Sequence, residues 1–348
     1  MHRLEHRSER ILKAIISQYI ATGEPVGSRT ISKKRDVGLS AASVRNIMSD
    51  LTEWGFIDQP HVSAGRIPTD RGIRLYVDAI LEAGPKVSDY QARIASMINV
   101  PDLDTRAVMR KSSSVLAGLS KQAGVVTTPA AVGQTFKTID FIKVAEDKIL
   151  VLLVSTSGFV LNKMIYDEDG INQETLDRYS RMLNDMLRDL DLGQARQRIE
   201  QELSKEKTLV NTMLATVLRL GHLILSSRST GEIFIEGQTN ILEDPEFAQI
   251  EKLKAVLITF EEKSKLLTIL EKTLAAEGIQ IFVGTEHGLE EIVGCSIVAY
   301  PVRAEETVLG SIAVIGPKRM DYKKMVNLVY ATGSALTHIL RKTVESRV

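Results

Sequence analysis

Several features that would point to other classes of protein are scarce in this chain of 348 residues. Its single cysteine excludes an internal disulfide framework and a metal cluster of several cysteines. Its longest clean apolar run, residues 149–154, is too short to span a bilayer, and no hydrophobic segment follows the polar N-terminus. Lys plus Arg and Asp plus Glu both number 44, which argues against a wholly basic nucleic-acid coat. We expect a soluble cytoplasmic protein of two or three domains.

The neutral total conceals a charge asymmetry along the chain. Residues 1–75 contain 12 Lys and Arg against 8 Asp and Glu, whereas the remainder contains 32 and 36. A basic N-terminal segment on an acidic body points to an anionic partner at the N-terminus.

The N-terminal segment predicts three helices followed by two short strands. Gly23 and Gly55 are predicted to end helices, and Ser28 and Ser40 are predicted to cap the starts of the second and third helices. The predicted elements are helices over residues 7–21, 28–35 and 40–54, and strands at 56–58 and 66–67. Three helices and a hairpin in this order are typical of a winged helix-turn-helix.

The rest of the chain alternates between strands and helices. Helices are predicted at 73–83, 88–99, 103–122, 172–190, 195–227, 263–277 and 321–342, and strands at 138–145, 148–155, 158–166, 279–284, 296–302 and 308–315. Strands, a helical block and strands again predict an α+β domain with a helical insertion. The apolar stripe of the 195–227 helix is a candidate dimer interface or an ordinary internal core, and it consists of Leu209, Met213, Val217, Leu220 and Ile224.

The third helix has the character of a DNA-reading helix. A helical wheel places Val44, Ile47, Met48 and Leu51 on its inner side. Its outer side is small and polar with one cation, which suits the major groove, where Arg pairs with guanine and Asn with adenine. The predicted DNA-binding residues are Ser28, Arg29, Thr30, Lys33, Ala42, Ser43, Arg45, Asn46, Ser49, His61, Ser63 and Arg66. The alternative is a winged helix that makes protein contacts only.

The order of motifs in the N-terminal region resembles a known family. Residues 23–31, 39–51, 55–57 and 59–69 are similar to the N-terminal region of the HrcA family of bacterial heat-inducible transcription repressors. Residues 236–240, 309–312 and 315–322 extend the resemblance to essentially the whole chain.

This resemblance implies a dimeric, nucleoid-associated repressor of chaperone operons. Members of the family bind an inverted-repeat operator called CIRCE and depend on the GroEL chaperonin for activity, which heat shock abolishes. The resemblance also implies neither a cofactor nor a membrane partner. The family architecture divides the chain into a winged helix, a helical linker, the first part of a GAF-like domain, a dimerising insertion and the second part of that domain, at residues 1–83, 84–122, 123–194, 195–260 and 261–348.

Two other functions remain open from the residues alone. The GAF-like domain of a ligand-gated regulator would bind a small metabolite, although no ligand constellation is visible in the sequence. A DNA-modifying enzyme would use the winged helix to deliver Cys295, but no His or Asp stands at a diagnostic spacing for catalysis. The six histidines are scattered, so we expect no metal site, and Lys318-Arg319 reads as a solvated turn. We therefore expect a binding protein and not an enzyme.

Overall fold

The computed structural model combines helices and sheets, which confirms the α+β class. The chain forms two compact units, of which the first comprises Met1–Val126, Ile233–Val302 and Ser311–Ile339. The second comprises Thr127–Glu232, Arg303–Gly310 and Leu340–Val348. The structure describes residues 4–35, 37–61, 64–86, 90–98, 105–128, 135–156, 160–167, 170–205, 212–225, 232–242, 244–247, 249–274, 276–304 and 307–345.

The first unit begins with a head, defined here as residues 4–86. Its elements are α1 (His6–Thr22), α2 (Ser28–Ser32), α3 (Ala41–Glu53), β1 (Ile57–Asp58), β2 (Ile67–Pro68) and α4 (Asp70–Ala83). β1 and β2 pair antiparallel, with Ile57 opposite Pro68. The apolar face of α1 is buried against α2 and α3, and its members Leu12, Ile15 and Ile16 are fully inaccessible. The head therefore has a hydrophobic core of its own.

Most predicted boundaries of the head are confirmed. Ser40 caps α3, and Gly55 follows that helix with φ +74°, a conformation that glycine adopts without strain. The second helix differs from the prediction, because Gly27 occupies its N-cap position and Ser28 is its first residue, with no side-chain cap. That helix also ends at Ser32 and not at Arg35.

The rest of the first unit is called the body here. Its helices are α5 (Tyr90–Ile98), α6 (Thr105–Ser120), α10 (Gln238–Leu242), α11 (Ile250–Glu261), α12 (Lys263–Leu274) and α13 (Tyr322–Glu345). Its five-stranded sheet has the order β7-β3-β10-β9-β8, with bounds β3 (Ala123–Thr127), β7 (Ile233–Glu236), β8 (Gln280–Val283), β9 (Cys295–Ala304) and β10 (Thr307–Pro317).

Helices cover both faces of the body sheet. Cys295, Ile297 and Ala299 of β9 point into a core that they share with α11 and α12. The alternate residues of β9 point to α13, where Ser296 lies 2.7 Å from the Tyr322 hydroxyl. A sheet covered on both faces needs apolar residues at nearly every position, which explains why β9 lacks the alternation of a half-exposed strand.

The second unit is built on a separate three-stranded sheet. Its strands, β4 (Phe136–Ala145), β5 (Lys148–Ser155) and β6 (Val160–Tyr166), form an antiparallel meander. Its helices are α7 (Gln173–Leu187), α8 (Leu192–Lys205) and α9 (Thr212–Leu225). The inner face of the sheet shares a core with all three helices, represented by Phe141, Leu183, Ile199 and Val217.

One expectation for this region is corrected by the packing. One continuous helix over residues 195–227 is wrong, because α8 and α9 pack side by side, with Ile199 against Gly221. The predicted strands at 138–145, 148–155 and 158–166 form a sheet of their own, whereas β3 pairs with the later strands β7 and β10. The division of the chain into five segments stays a prediction. None of the described helices is long and apolar enough to cross a membrane.

Candidate nucleic-acid interface

The third helix presents the polar face that its sequence predicts. The Ser40 hydroxyl accepts a hydrogen bond of 3.1 Å from the Ser43 N–H and so fixes the start of α3. Val44, Met48 and Leu51 are buried in the head and Ile47 is partly buried, which fixes the rotation of α3 about its axis. The exposed residues of the opposite side are Ala42, Arg45, Asn46 and Ser49. Ser43 is half-buried, and its hydroxyl lies 3.0 Å from that of Ser40.

The spacing of these residues places them on one side of the helix. Ala42, Arg45, Asn46 and Ser49 follow the i, i+3, i+4, i+7 pattern, so they form a single ridge along α3. The helix has 13 residues and is therefore about 20 Å long. A helix about 10–12 Å in diameter fits the B-DNA major groove, which is about 12 Å wide. The ridge thus has the size and the donors that base readout needs.

The second helix adds cations next to this ridge. Arg29, Thr30 and Lys33 are exposed, whereas Ile31 between them is fully buried and anchors α2 in the head. Ser28 is half-buried at the start of the same helix. Exposed cations and hydroxyls beside a reading helix suit contacts to phosphate oxygens.

The hairpin places its predicted residues in three different situations. His61 is exposed, and Ser63 lies outside the described residues. Arg66 is only half-exposed, and its Nε donates a 3.1 Å hydrogen bond to the Thr52 hydroxyl on α3. The backbone of Arg66 also pairs with that of Val26 in both directions, at 2.8 and 2.9 Å. Arg66 therefore braces the hairpin against α3.

Glycine at position 65 is required by the protein's own backbone. A side chain there would meet the carbonyl carbons of Pro25 and Val26 at 2.7 and 2.6 Å. The absence of a side chain at Gly65 therefore serves a close backbone contact inside the head.

Sequence reasoning missed the residues that support the interface from below. Thr52 accepts the bond from Arg66 and donates one of 2.8 Å to the Met48 carbonyl. Arg71 donates a 2.7 Å bond to the Trp54 carbonyl, and its guanidinium lies 4.5 Å from the centre of the Phe56 ring. These partners are far apart in sequence and follow no motif. The one local signal in this region is Thr69, a typical N-cap residue that indicates where α4 begins. Its hydroxyl accepts a hydrogen bond from the Gly72 N–H.

The head is attached to the body by charged contacts at α4. Lys318 Nζ lies 2.6 Å from Asp70 Oδ1. Arg74 donates a 2.6 Å bond to the Ile281 carbonyl and lies 3.1 Å from the Glu286 carboxylate. The interpretation of Lys318-Arg319 as a solvated turn is therefore wrong, since Arg319 also pairs with Asp244 at 2.7 Å.

The groups that would support other chemistry are buried or dispersed. Cys295 is fully buried in the body core, so its position gives no support to delivery of its thiol to DNA. His287 is buried as well, and burial lowers the pKa of its imidazole. Within the part of the chain that the structure describes, no three His, Cys, Asp or Glu side chains are grouped to hold a metal ion.

Comparison with known proteins extends the observations beyond the head. The family described as HrcA protein C terminal domain matches residues 106–326. The heat-inducible transcription repressor HrcA of Syntrophobacter fumaroxidans is 40% identical over 347 residues, covering 99% of this chain and 100% of its own. The protein of the same name from Geobacter sulfurreducens is 39% identical over 340 residues, covering 98% and 99%.

The fold also has a counterpart among solved structures. A crystal structure of a protein described as hypothetical covers 98% of this chain and 100% of its own, with a TM-score of 0.62 and 23% identity. At that identity the likeness concerns the fold alone. The full-length relatives and the family match agree, and the chain therefore belongs to the HrcA family of heat-inducible transcription repressors.

Proposed function

We propose that this protein represses chaperone operons by binding an inverted-repeat operator of the CIRCE type as a dimer. In this proposal α1–α3 with β1 and β2 form a winged helix-turn-helix, and α3 enters the major groove. The observation that carries the proposal is the ridge of α3, which exposes Arg45 and Asn46 because Val44, Met48 and Leu51 lock the other side in the core. This arrangement supports base readout over a purely protein-binding role.

Each predicted DNA-binding residue has a proposed role. Arg45 donates two hydrogen bonds to guanine O6 and N7, and Asn46 pairs with adenine N6 and N7. The Ala42 methyl contacts a thymine methyl. Phosphate oxygens accept hydrogen bonds from the side chains of Ser28, Arg29, Thr30, Lys33, Ser43, Ser49, His61, Ser63 and Arg66.

An inverted repeat requires a two-fold symmetric protein, and the second unit offers a surface for this. Val217 and Leu220 of the apolar stripe are buried in the core of the second unit. This burial favours the alternative in which the stripe is an internal core and not a dimer interface. The outer face of the three-stranded sheet instead exposes Ile142 and Met164, which pair in register with the half-buried Leu150 between them. We propose that a second copy of the chain covers this face, because exposed apolar patches mark interfaces.

This dimer face predicts the effect of a charge at its centre. Met164 is 50% exposed, so Met164→Asp leaves the isolated chain folded but buries an unpaired carboxylate in the dimer. We expect the dimer dissociation constant to rise by at least about tenfold, measured by sedimentation or light scattering. Met97→Asp is the matched control, since Met97 is 40% exposed on α5 of the first unit. A dimer unaffected by Met164→Asp would place the interface elsewhere.

The regulation of the repressor is proposed from family membership alone. GroEL keeps the repressor active. During heat shock, unfolded proteins occupy GroEL, the repressor loses activity, and the operons are transcribed. A cytoplasmic, nucleoid-associated location follows from the same proposal.

Fluorescence anisotropy tests the function directly. A labelled CIRCE-type inverted-repeat duplex is compared with a scrambled duplex of equal length at two salt concentrations, with and without GroEL. A preference for the inverted repeat that persists at the higher salt supports sequence-specific repression. Equal, steeply salt-sensitive binding of both duplexes in the presence of GroEL would contradict it.

A cavity of about 620 Å³ favours a second candidate function, the sensing of a small molecule. Its volume lies within the range of ligand pockets, about 300–1,000 Å³. Its polar lining comes from both the head and the body and includes Ser17, Tyr76, Gln122, Arg319, Lys323 and Lys324. Gln122 Oε1 is buried without a hydrogen-bond partner among the described residues. Burial raises the pKa of the Tyr76 phenol, and the nearby Asp321 charge adds to this, so Tyr76 is a neutral donor at pH 7.

A thermal-shift series tests this candidate function. The ligands are nucleoside monophosphates, and the controls are inorganic phosphate and uncharged nucleosides. A ligand of this site stabilises the folded protein by mass action. An increase in unfolding temperature that disappears in the Gln122→Leu variant supports the site. If millimolar nucleoside monophosphate leaves the unfolding temperature unchanged, this class of ligand is excluded.

A further inference from the structure

A second, smaller pocket lies beside the start of the reading helix. Its volume is about 360 Å³, and it is formed by the first two turns of α1 and by the segment that leads into α3. The residues that line it are His6, Arg7, Arg10, Ile11, Val37, Gly38 and Leu39. None of these residues has a part in the interface described so far.

The pocket combines two arginines and a histidine in its walls with an apolar floor. His6, Arg7 and Arg10 are exposed and stand at i, i+1 and i+4 of α1, so they share one side of the helix. Ile11 and Val37 are buried beneath them. The described residues that line the pocket include no carboxylate, and Glu9 of the same helix is paired with Lys13 at 2.6 Å. The pocket is thus suited to an anion.

The pocket lies next to the N-terminus of α3, where a DNA phosphate could be the anion. Leu39, at the rim of the pocket, immediately precedes Ser40, the N-cap of α3. The N-terminal residues of a recognition helix lie deepest in the major groove, so the phosphate backbone that borders the groove passes close to this end. The N-terminus of α3 itself carries a partial positive charge that favours a phosphate nearby.

We propose that His6, Arg7 and Arg10 form a phosphate-binding site for the operator backbone, adjacent to the N-terminus of α3. The site extends the DNA contact from α2, α3 and the hairpin to the first turns of α1. Arginine is suited to this role, because its planar guanidinium donates paired hydrogen bonds to phosphate oxygens. Phosphate contacts carry no sequence information, so the site contributes affinity and register without base preference. The inference rests on the proposed function, since it requires that α3 enter DNA.

The test is the salt dependence of binding by the full chain. Anisotropy titrations of the inverted-repeat and scrambled duplexes are repeated between about 50 and 200 mM salt for the unmodified protein and for the double variant Arg7→Gln, Arg10→Gln. Each lost phosphate contact lowers the slope of log K against log salt by about 0.9, so we expect a decrease of about 2. At 0.1 M salt the affinity for both duplexes should fall by more than about tenfold.

A matched pair of arginines separates this effect from a general loss of charge. Arg178→Gln with Arg188→Gln removes two exposed arginines from α7 and its C-terminal cap in the second unit, and the slope should stay unchanged. Thermal unfolding of each variant shows whether the head remains folded.

Three results would overturn the site. An unchanged slope for the folded Arg7, Arg10 variant would show that α1 makes no phosphate contact. A loss confined to the inverted repeat would show base readout instead. Failure of the unmodified protein to bind either duplex, with GroEL present, would refute the proposed function and the site together, whereas the first two results leave the proposed function standing.

Discussion

Arg45→Ala is expected to weaken binding to the inverted-repeat operator by about 1–3 kcal/mol, or roughly 5- to 150-fold. Arg45 is exposed on the ridge of α3, and its guanidinium is the strongest base-reading donor there. The loss should be concentrated at one base pair of each half-site, where the variant tolerates substitutions that the unmodified protein rejects. Anisotropy with operators substituted at single positions measures both effects.

Lys33→Ala provides the contrasting result. Lys33 is exposed on the cap of α2 and offers a point charge, which suits a phosphate. Its replacement should weaken the inverted repeat and the scrambled duplex alike and reduce the salt slope by about 1. If Arg45→Ala left operator affinity unchanged, or if it behaved as Lys33→Ala should, α3 would not be the reading helix.

Leu51→Ala is expected to destabilise the head by about 2–5 kcal/mol and to abolish operator binding as a consequence. Leu51 is fully inaccessible and contributes to the core of α1, α2 and α3. Removal of three heavy atoms leaves a cavity under the helix whose orientation presents Arg45 and Asn46. Thermal unfolding and operator anisotropy report the two losses, and light scattering should show that the dimer persists.

The control for this variant is the same substitution at a surface position. Leu223 is 41% exposed on α9, so Leu223→Ala changes the free energy of unfolding by only about 0.5 kcal/mol or less. An unfolding midpoint for Leu51→Ala equal to that of Leu223→Ala would contradict the packing of α3 described here.

The head was predictable because its determinants are local. The buried stripe of α1, the Ser40 cap and the glycine after α3 all act within one or two helical turns. The rotation of α3 follows from the 3.6-residue period once Val44, Met48 and Leu51 are buried. The error at Ser28 has the same origin, since Gly27 and Ser28 are both acceptable N-caps and local preference does not separate them.

The strand pairing in the rest of the chain was not predictable in this way. Alternation identifies β4, β5 and β6 as strands, but it does not state which strands lie beside them. The same limit applies to the helical block, where a helical pattern over residues 195–227 does not show that α8 and α9 pack on each other. The order of the body sheet, in which β3 lies between β7 and β10, and the packing of helices are set by contacts that are distant in sequence, so a one-dimensional pattern contains no trace of them.

The sequence by itself determined the helices and hairpin of the head, the polar ridge with Arg45 and Asn46, and the family, because each depends on residue order and short-range periodicity. Only the tertiary structure decided that Arg66 braces α3 through Thr52, that Lys318 pairs with Asp70, and that three strands form their own sheet. It also brought His6, Arg7 and Arg10 beside Leu39, which precedes the N-cap of α3. The Arg66–Thr52 and Lys318–Asp70 contacts join residues 14 and 248 positions apart, and such partners meet only when the hydrophobic cores have closed.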